Sequence, residues 1–459
     1  MKKLLFLIMI SLLGLKVHAQ TPLSGKWKGV IEIQGQQLTV IFNIEGQPVN
    51  YSGTLDIPQQ GAKDLPLSQA EQKGDSVLFV FNAGQVTGTF EGMLESETQI
   101  SGMYQQGPGR FPFKLEKQQS TDAETQIGEG TDLIIPKGDI DIGGTLVVPE
   151  NTPRPPLVIM ISGSGAQNQD SNIFEFKPFA ILAEHLKSQG IASFRYDDRQ
   201  IGKSTGSFAN ATLDTLASDV DAIILHLQQS DEITPTDIIL LGHSQGGVVA
   251  GKVASENEEV DQLILMASTG ISIKEILRFQ VQQALSGGTH SQEDIETEIE
   301  NREMLMEAIR KGEELEEAKQ NYINHYKDML NNLPDAQKAG IPDIPTFAKR
   351  QTDQLVTVYS SPQMQSLLFH QPGEDLKQLK IPALVLFGEK DTQVTEKLNR
   401  EPIEQALQKA GVDYTVEVIP TANHLFQKAN TGMATEYASL EKQFVDGFKA
   451  IISEWIHNH

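Results

Sequence analysis

The chain has 459 residues, the length of two or three structural units, and carries a formal net charge of −24 at pH 7. A surface this acidic repels nucleic acid and anionic membranes, so we expect neither as a partner. The sequence contains no cysteine, which excludes disulfides, a thiol nucleophile, a cysteine-ligated metal and a lipid-modified N-terminal cysteine.

The N-terminus predicts an export signal. Lys2 and Lys3 precede a short apolar run, and residues 17–19 (Val-His-Ala) have the form of a cleavage site. The run is too short to span a bilayer as a mature helix, so a removed signal peptide is favoured over a permanent membrane anchor. We therefore expect residues 1–19 to be a signal peptide. The mature protein is then periplasmic or secreted, without stable membrane insertion.

Residues 20–118 predict an all-β unit. Short apolar runs are broken by turn residues, and hairpin turns are expected at 35–36, 45–46 and 82–84. Seven or eight strands at this spacing indicate a small antiparallel barrel or sandwich. The predicted strands are 25–33, 37–44, 51–57, 76–82, 85–94, 99–104 and 111–115.

Residues 119–130 are polar, contain two glycines and predict a linker. From residue 131 to residue 459 apolar strands alternate with helices, which predicts a mostly parallel sheet covered on both faces. The predicted strands are 157–161, 191–196, 238–241, 262–266, 383–387 and 414–419, and the predicted helices include 179–189 and 213–229.

Residues from about 270 to 378 interrupt this alternation. Apolar residues follow helical spacing, Ser291 and Asp294 have the pattern of a capping box, and Gly312 suits a helix C-terminus. Because the segment falls between two sheet strands, we expect a mostly helical lid over one edge of the sheet.

The sequence Gly242-His243-Ser244-Gln245-Gly246 is typical of a nucleophile elbow. It follows an apolar strand and precedes an apolar segment with helical character. At such an elbow the backbone of the serine is strained, and side chains two positions before and after it would clash. The alternative, an ordinary turn between strand and helix, does not require this spacing of small residues.

A serine nucleophile needs a base within hydrogen-bond reach and an acid that orients the base. In an open parallel sheet such groups gather where the strands end. Asp391 follows strand 383–387 and His424 follows strand 414–419, so the chain order Ser244, Asp391, His424 is the one that this elbow demands. Glu389 is the alternative acid. His243 adjoins the serine and is not expected to be the base.

The oxyanion formed during acyl transfer needs backbone N–H donors. One donor is expected from Gln245, and the second from Gly163 or Ser164 in the small-residue loop after strand 157–161. A dinucleotide-binding loop is disfavoured there because residue 168 is asparagine where that motif needs glycine. The chemistry requires no metal ion and no organic cofactor.

Residues 130–459 resemble the α/β-hydrolase superfamily. The resemblance rests on the small-residue loop 162–165, the elbow, Gly388-Glu389-Lys390-Asp391 and Asn423-His424. Residues 197–204 are also similar to the D-x-R-G-x-G-x-S loop of that family, with Gln200 where glycine is usual.

The nearest likeness is to exported bacterial esterases with an N-terminal β-unit. It implies hydrolysis of a small-molecule carboxylic ester through an acyl-enzyme. A serine peptidase or acyltransferase is the alternative enzyme, and a non-catalytic binding protein on a hydrolase scaffold is the alternative outside enzymes. The oligomeric state is left open.

Overall fold

The computed structural model describes residues 23–33, 36–47, 50–57, 62–83, 86–107, 109–118, 127–286, 291–333, 338, 341 and 343–459. The predicted signal peptide and residues 119–126 of the predicted linker lie outside these ranges. The chain divides into two compact units, Met1–Thr125 and Gln126–His459.

The first unit is a closed barrel of eight antiparallel strands. The barrel closes because β1 pairs with both β2 and β8, so that Trp27 lies opposite Phe42 on one side and Lys117 on the other. Of the two predicted architectures, the structure is therefore the barrel. Its strands are β1 Gly25–Ile33, β2 Gln36–Gln47, β3 Asn50–Ile57, β4 Ala62–Lys73, β5 Ser76–Ala83, β6 Val86–Ser96, β7 Gln99–Gln106 and β8 Gly109–Lys117.

Aromatic side chains fill the inside of the barrel. The rings of Phe42 and Phe79 stack with centroids 4.6 Å apart, and Phe90 meets Phe42 edge-on at 4.9 Å. Trp27 is fully buried, and its indole N–H donates to the Leu23 carbonyl at 2.7 Å. Rings of this size contribute apolar area together with favourable ring contacts. Core packing thus stabilises a unit that has no cysteine.

The eight strands agree with the predicted number, but the predicted strands omit β4 and one predicted turn is wrong. Strand β4 was not expected, because it is mostly polar and carries Pro66, which cannot donate a ladder hydrogen bond. The turn predicted at 45–46 lies inside β2, where Gly46 pairs with Tyr51, and the hairpin continues to the pair of Gln47 with Asn50. The turns predicted at 35–36 and 82–84 involve residues outside the described ranges.

The second unit is built on an eight-stranded sheet with the order β16-β15-β14-β13-β11-β12-β10-β9. Strand β10 runs antiparallel to both of its neighbours, β9 and β12, and this order with one reversed strand is that of the α/β-hydrolase fold. The edge hairpin of β9 and β10 was not predicted. The strands are β9 Thr131–Lys137, β10 Ile140–Val147, β11 Leu157–Ile161, β12 Ala192–Tyr196, β13 Ile238–His243, β14 Gln262–Met266, β15 Ala383–Gly388 and β16 Tyr414–Ile419.

Helices cover both faces of this sheet, whose central strands β11 to β15 are buried along their whole length. Helices α2, α3 and α10 pack with one apolar cluster, and α1 and α11 pack with the other. Alternate residues of β11 point into the two clusters, Ile159 into the first and Met160 into the second. These helices are α1 Pro178–Ser188, α2 Leu213–Gln229, α3 Gln245–Glu256, α10 Glu396–Ala410 and α11 Phe448–Asn458.

The predicted helical insertion lies between β14 and β15. Its capping box is present, since the Ser291 hydroxyl accepts the Asp294 N–H and the Asp294 carboxylate accepts the Ser291 N–H, and Gly312 ends the helix with φ of 68°. The helices of this lid are α4 Ile273–Ser286, α5 Gln292–Lys311, α6 Leu315–Asn331, α7 Ile344–Tyr359, α8 Pro362–Leu368 and α9 Pro372–Leu376. Within the described ranges, no helix is both long and apolar enough to cross a membrane.

Candidate active site

The elbow forms where β13 turns into α3. Ser244 stands at the apex with φ of 54° and ψ of −121°, a conformation that side chains disfavour. A Cβ at Gly242 would lie 2.3 Å from the Gly246 carbonyl oxygen, and one at Gly246 would lie 2.2 Å from the Ile161 carbonyl oxygen. Glycine is therefore required at both positions, which is the physical basis of the predicted motif. The Ser244 side chain stays partly accessible.

His424 and Asp391 form a buried pair behind the elbow. The Nδ1 of His424 lies 2.7 Å from the Oδ2 of Asp391, and the exposed fractions of the two side chains are 7% and 0%. The other oxygen, Oδ1, accepts the backbone N–H groups of Gln393 at 2.8 Å and Val394 at 2.9 Å. The Asp391 carboxylate thus accepts a hydrogen bond from the Nδ1–H of His424, which leaves the Nε2 of His424 free to accept a proton.

The loops that carry the acid and the base are joined by backbone contacts. The Lys390 N–H donates to the Ala422 carbonyl at 2.8 Å, and a Cβ at Gly388 would lie 2.5 Å from the Asn423 carbonyl oxygen. The alternative acid, Glu389, accepts the Thr421 N–H at 2.7 Å. Of the two carboxylates considered from the sequence, Asp391 contacts the imidazole and Glu389 supports the loop.

His424 lies next to the elbow. The ring centroids of His424 and His243 are 4.8 Å apart, and His243 is the residue that precedes Ser244. A Cβ at Gly163 would lie 3.4 Å from the Cβ of Ser244, so the loop after β11 passes directly over the serine. The structure therefore brings the predicted nucleophile, base, acid and oxyanion loop to one place.

The two expected oxyanion donors lie in different structural environments. Gln245 is the first residue of α3, where backbone N–H groups lack partners within the helix and the helix dipole is positive. Gly163 is half-buried against the elbow, and Ser164 is exposed one residue further along. Both Gly163 and Ser164 stay candidates for the second donor.

His243 has a role that the sequence did not indicate. It is buried, and its Nε2 lies 2.9 Å from the His424 carbonyl, which can only accept, so Nε2–H is the donor. Burial, with the charge on His424 second, lowers the pKa of His243 to about 3. A neutral His243 thus holds the backbone of the base. Only the contact between distant segments reveals this role, and no local motif does.

This depressed pKa predicts acid sensitivity. An unfolded chain binds a proton at His243 below about pH 6.5, whereas the folded protein does not until near pH 3, so stability is full above this window and falls as pH decreases through it. The loss amounts to up to roughly 5 kcal/mol at low pH. Urea unfolding of the His243→Gln variant, measured from neutral to acidic pH, is expected to show a flatter profile than wild type. The His457→Gln variant, altered at the exposed C-terminus, is the control. Profiles of the same slope for His243→Gln and wild type would contradict the assignment.

The loop of residues 197–204 has a backbone conformation that favours glycine at two positions, one of which is occupied by Gln200. Gln200 has φ of 73°, in the left-handed region where glycine is favoured. Near it, a Cβ at Gly202 would lie 2.2 Å from the Asp197 carboxylate. The chain therefore keeps the backbone shape of this loop with a side chain at a position suited to glycine.

The chain is similar in sequence to known hydrolases. Residues 176–323, which include the elbow, match the serine aminopeptidase family, S33, and residues 347–451, which include Asp391 and His424, match the dienelactone hydrolase family. Esterase EstD of Thermotoga maritima is 23% identical over 391 residues, covering 84% of this chain and 79% of that protein. This match is longer than the second unit, so it reaches into the first 125 residues.

Two solved structures are also similar to the chain. An esterase of Pyrococcus furiosus matches with a TM-score of 0.45 and 14% identity, covering 74% of this chain and 95% of that one. Proline iminopeptidase of Mycobacterium smegmatis matches with a TM-score of 0.42 and 17% identity, covering 72% and 98%. The sheet topology of the second unit is that of the α/β-hydrolase fold, and the families that residues 176–323 and 347–451 match make this chain a hydrolase.

Proposed function

We propose that the protein is a serine carboxylesterase that works through an acyl-enzyme on Ser244. The observation that carries the proposal is the buried contact of 2.7 Å between His424 and Asp391 beside an elbow serine. A serine with a base oriented by a carboxylate is the arrangement that activates a hydroxyl nucleophile.

The mechanism follows from the position of each group. The Oγ of Ser244 attacks the ester carbonyl carbon while the Nε2 of His424 accepts the hydroxyl proton, and Asp391 stabilises the imidazolium. Backbone N–H groups of Gln245 and of Gly163 or Ser164 donate to the oxyanion. His424 then passes its proton to the leaving alcohol, and the C–O bond to that alcohol breaks. Water, activated by His424, releases the acid and restores the serine hydroxyl.

The relatives favour an ester over a peptide substrate. The esterase from Thermotoga maritima aligns with most of this chain, whereas the serine aminopeptidase match ends at residue 323, before the acid and the base. That match nevertheless makes peptide hydrolysis the second candidate. Short- and medium-chain nitrophenyl esters should be turned over much faster than a panel of peptides with free N-termini. The opposite order would replace the ester substrate with a peptide, and no turnover of either class would favour a binding protein.

A pocket beside the acid loop suits the apolar part of an ester. It measures about 780 Å³ and lies between α4 of the lid, the start of α10 and the residues that follow Asp391. Phe279, Leu398 and Met433 supply apolar lining, and Gln280 and Gln393 add amide groups. We propose that this pocket accommodates an apolar acyl or alcohol chain.

The pocket predicts a chain-length effect. The Phe279→Ala variant is expected to lose about tenfold in kcat/KM for long-chain esters relative to short-chain esters, since removed apolar contacts weaken transition-state binding. Gln282→Ala, on the exposed side of the same helix, is the matched control. An unchanged chain-length preference in Phe279→Ala would place the acyl and alcohol chains elsewhere.

A further inference from the structure

Two aspartates that follow β12 bind the loop that carries the second oxyanion donor. The Oδ2 of Asp198 accepts the Ser162 hydroxyl at 2.9 Å and the Gln167 N–H at 2.8 Å. The Oδ1 of Asp197 accepts the Gln169 N–H at 2.9 Å. A single carboxylate oxygen of Asp198 therefore binds the loop on both sides of residues 163–166.

The segment between these two contacts has little side-chain packing of its own. Residues 164–166 are exposed, and Gly165 has φ of 83°, a conformation suited to glycine. The Gln167 side chain donates to the Ser164 carbonyl at 3.1 Å. Asp198 therefore holds Gln167 in place, and the Gln167 side chain in turn holds the Ser164 carbonyl, which lies next to the candidate donors.

The contact between Asp198 and Ser162 also fixes the position of the second donor relative to the first. A Cβ at Gly246 would lie 2.3 Å from the Ser162 carbonyl oxygen, so the Ser162 backbone is packed against the first turn of α3. That turn begins with Gln245, the first expected donor. Asp198 therefore holds the loop with the second donor at a fixed place relative to the first.

We propose that Asp198 is a positioning residue that keeps the backbone N–H groups of Gly163 and Ser164 where the tetrahedral intermediate needs them. This inference rests on the proposed function, because it assigns the loop to oxyanion binding. Asp198 touches the loop and not the substrate. Its effect should therefore appear on the transition state more than on the bound substrate.

The burial of the Asp198 carboxylate lowers the free energy of unfolding when this group is ionised. Asp198 is 6% exposed, and burial raises its pKa to about 7, with the charges of Asp197 and Asp219 adding to the rise. The unfolded chain ionises this group near pH 4, so the free energy of unfolding falls as pH rises from there through the folded pKa. A neutral side chain of the same shape is therefore expected to preserve or increase stability at alkaline pH.

The test compares Asp198→Ala with Asp198→Asn. The alanine variant loses both contacts and is expected to lower kcat for a short ester about 100-fold with KM nearly unchanged, the size of effect that follows when a catalytic group is misplaced by about 1 Å. The asparagine variant keeps an acceptor oxygen and should regain most of this loss. Its Tm at alkaline pH should equal or exceed that of wild type, whereas a merely structural role would lower Tm and kcat together.

Asp219→Asn is the matched control, because Asp219 is a comparably buried carboxylate that pairs with Arg199 and Lys137 and has no described contact with the loop. It should lower Tm and leave kcat close to wild type. A kcat in Asp198→Ala within about threefold of wild type, or a loss confined to KM, would overturn the proposal. An equal loss of kcat in Asp219→Asn would overturn it as well.

Labelling of Ser244 by a fluorophosphonate tests the positioning role of Asp198 independently of whether esters are the substrates. Attack on phosphorus also forms an intermediate with an oxyanion, so the labelling rate should fall in Asp198→Ala whether or not esters are the substrates. Equal labelling rates in wild type and Asp198→Ala would overturn the positioning role while the esterase function stands. Wild type that labels but does not turn over esters would overturn only the substrate class, and wild type that fails to label would overturn both.

Discussion

The Ser244→Ala variant is expected to lose about 10⁶-fold in kcat for ester hydrolysis, because removal of the nucleophile of a serine triad costs as much as removal of the whole triad. Binding of a substrate analogue should persist, since the pocket and the oxyanion donors are unchanged. Single-turnover kinetics on nitrophenyl esters would measure the loss. Turnover at the wild-type rate would show that another group performs the chemistry.

A second replacement at the same position controls for folding. Ser244 adopts φ of 54° and ψ of −121°, and this conformation is strained for any residue with a Cβ. The Ser244→Gly variant should be equally inactive yet more stable than Ser244→Ala by about 1 kcal/mol, as relief of strain exceeds the added entropy of the unfolded chain. Thermal unfolding of the two variants would measure the difference. A less stable glycine variant would indicate that the elbow is not strained.

The Asp391→Asn variant is expected to lower kcat by about 10⁴-fold, because the amide can impose the wrong tautomer on the base and cannot stabilise its charged form. The structure supports a loss of this size through the direct contact with Nδ1 of His424 and the two backbone N–H groups that fix the carboxylate.

Glu389→Gln is the matched control for Asp391→Asn. Glu389 lies two residues earlier in the same loop, carries the same charge and accepts the Thr421 N–H. An amide oxygen can still accept that bond, so kcat should stay within about tenfold of wild type. If Glu389→Gln were the more damaging variant, the acid of the triad would have to be reassigned.

The parts that could be predicted from the sequence are those fixed by local sterics. Gly242 and Gly246 are required because a Cβ at either would collide with backbone atoms, and this requirement is visible as a motif. Five of the six strands predicted for the second unit are buried along their whole length, so their sequences are mostly apolar, whereas the edge strand β16 is only partly buried. Asp391 and His424 could then be proposed as acid and base because they follow β15 and β16 in the chain order that the elbow motif requires.

Long-range contacts explain what was missed. Strand β4 pairs through its backbone although its side chains are mostly polar, and Pro66 opposes the pattern of a strand. His243 was set aside as a base, and its bond to the His424 carbonyl joins residues 181 positions apart. The contacts of Asp198 with Ser162 and Gln167 likewise depend on how two neighbouring strands end.

The lid has an apolar core of its own, which includes Leu305, Met306, Tyr359 and Leu368. Helices that pack on one another can change in sequence without disturbing the pairing of β14 with β15, where Leu263 lies opposite Ala383. Substitutions in residues 273–368 can therefore alter the substrate range while the sheet keeps the proposed triad residues in place. Exchange of this segment between related enzymes is accordingly a route to altered specificity that leaves the catalytic residues in place.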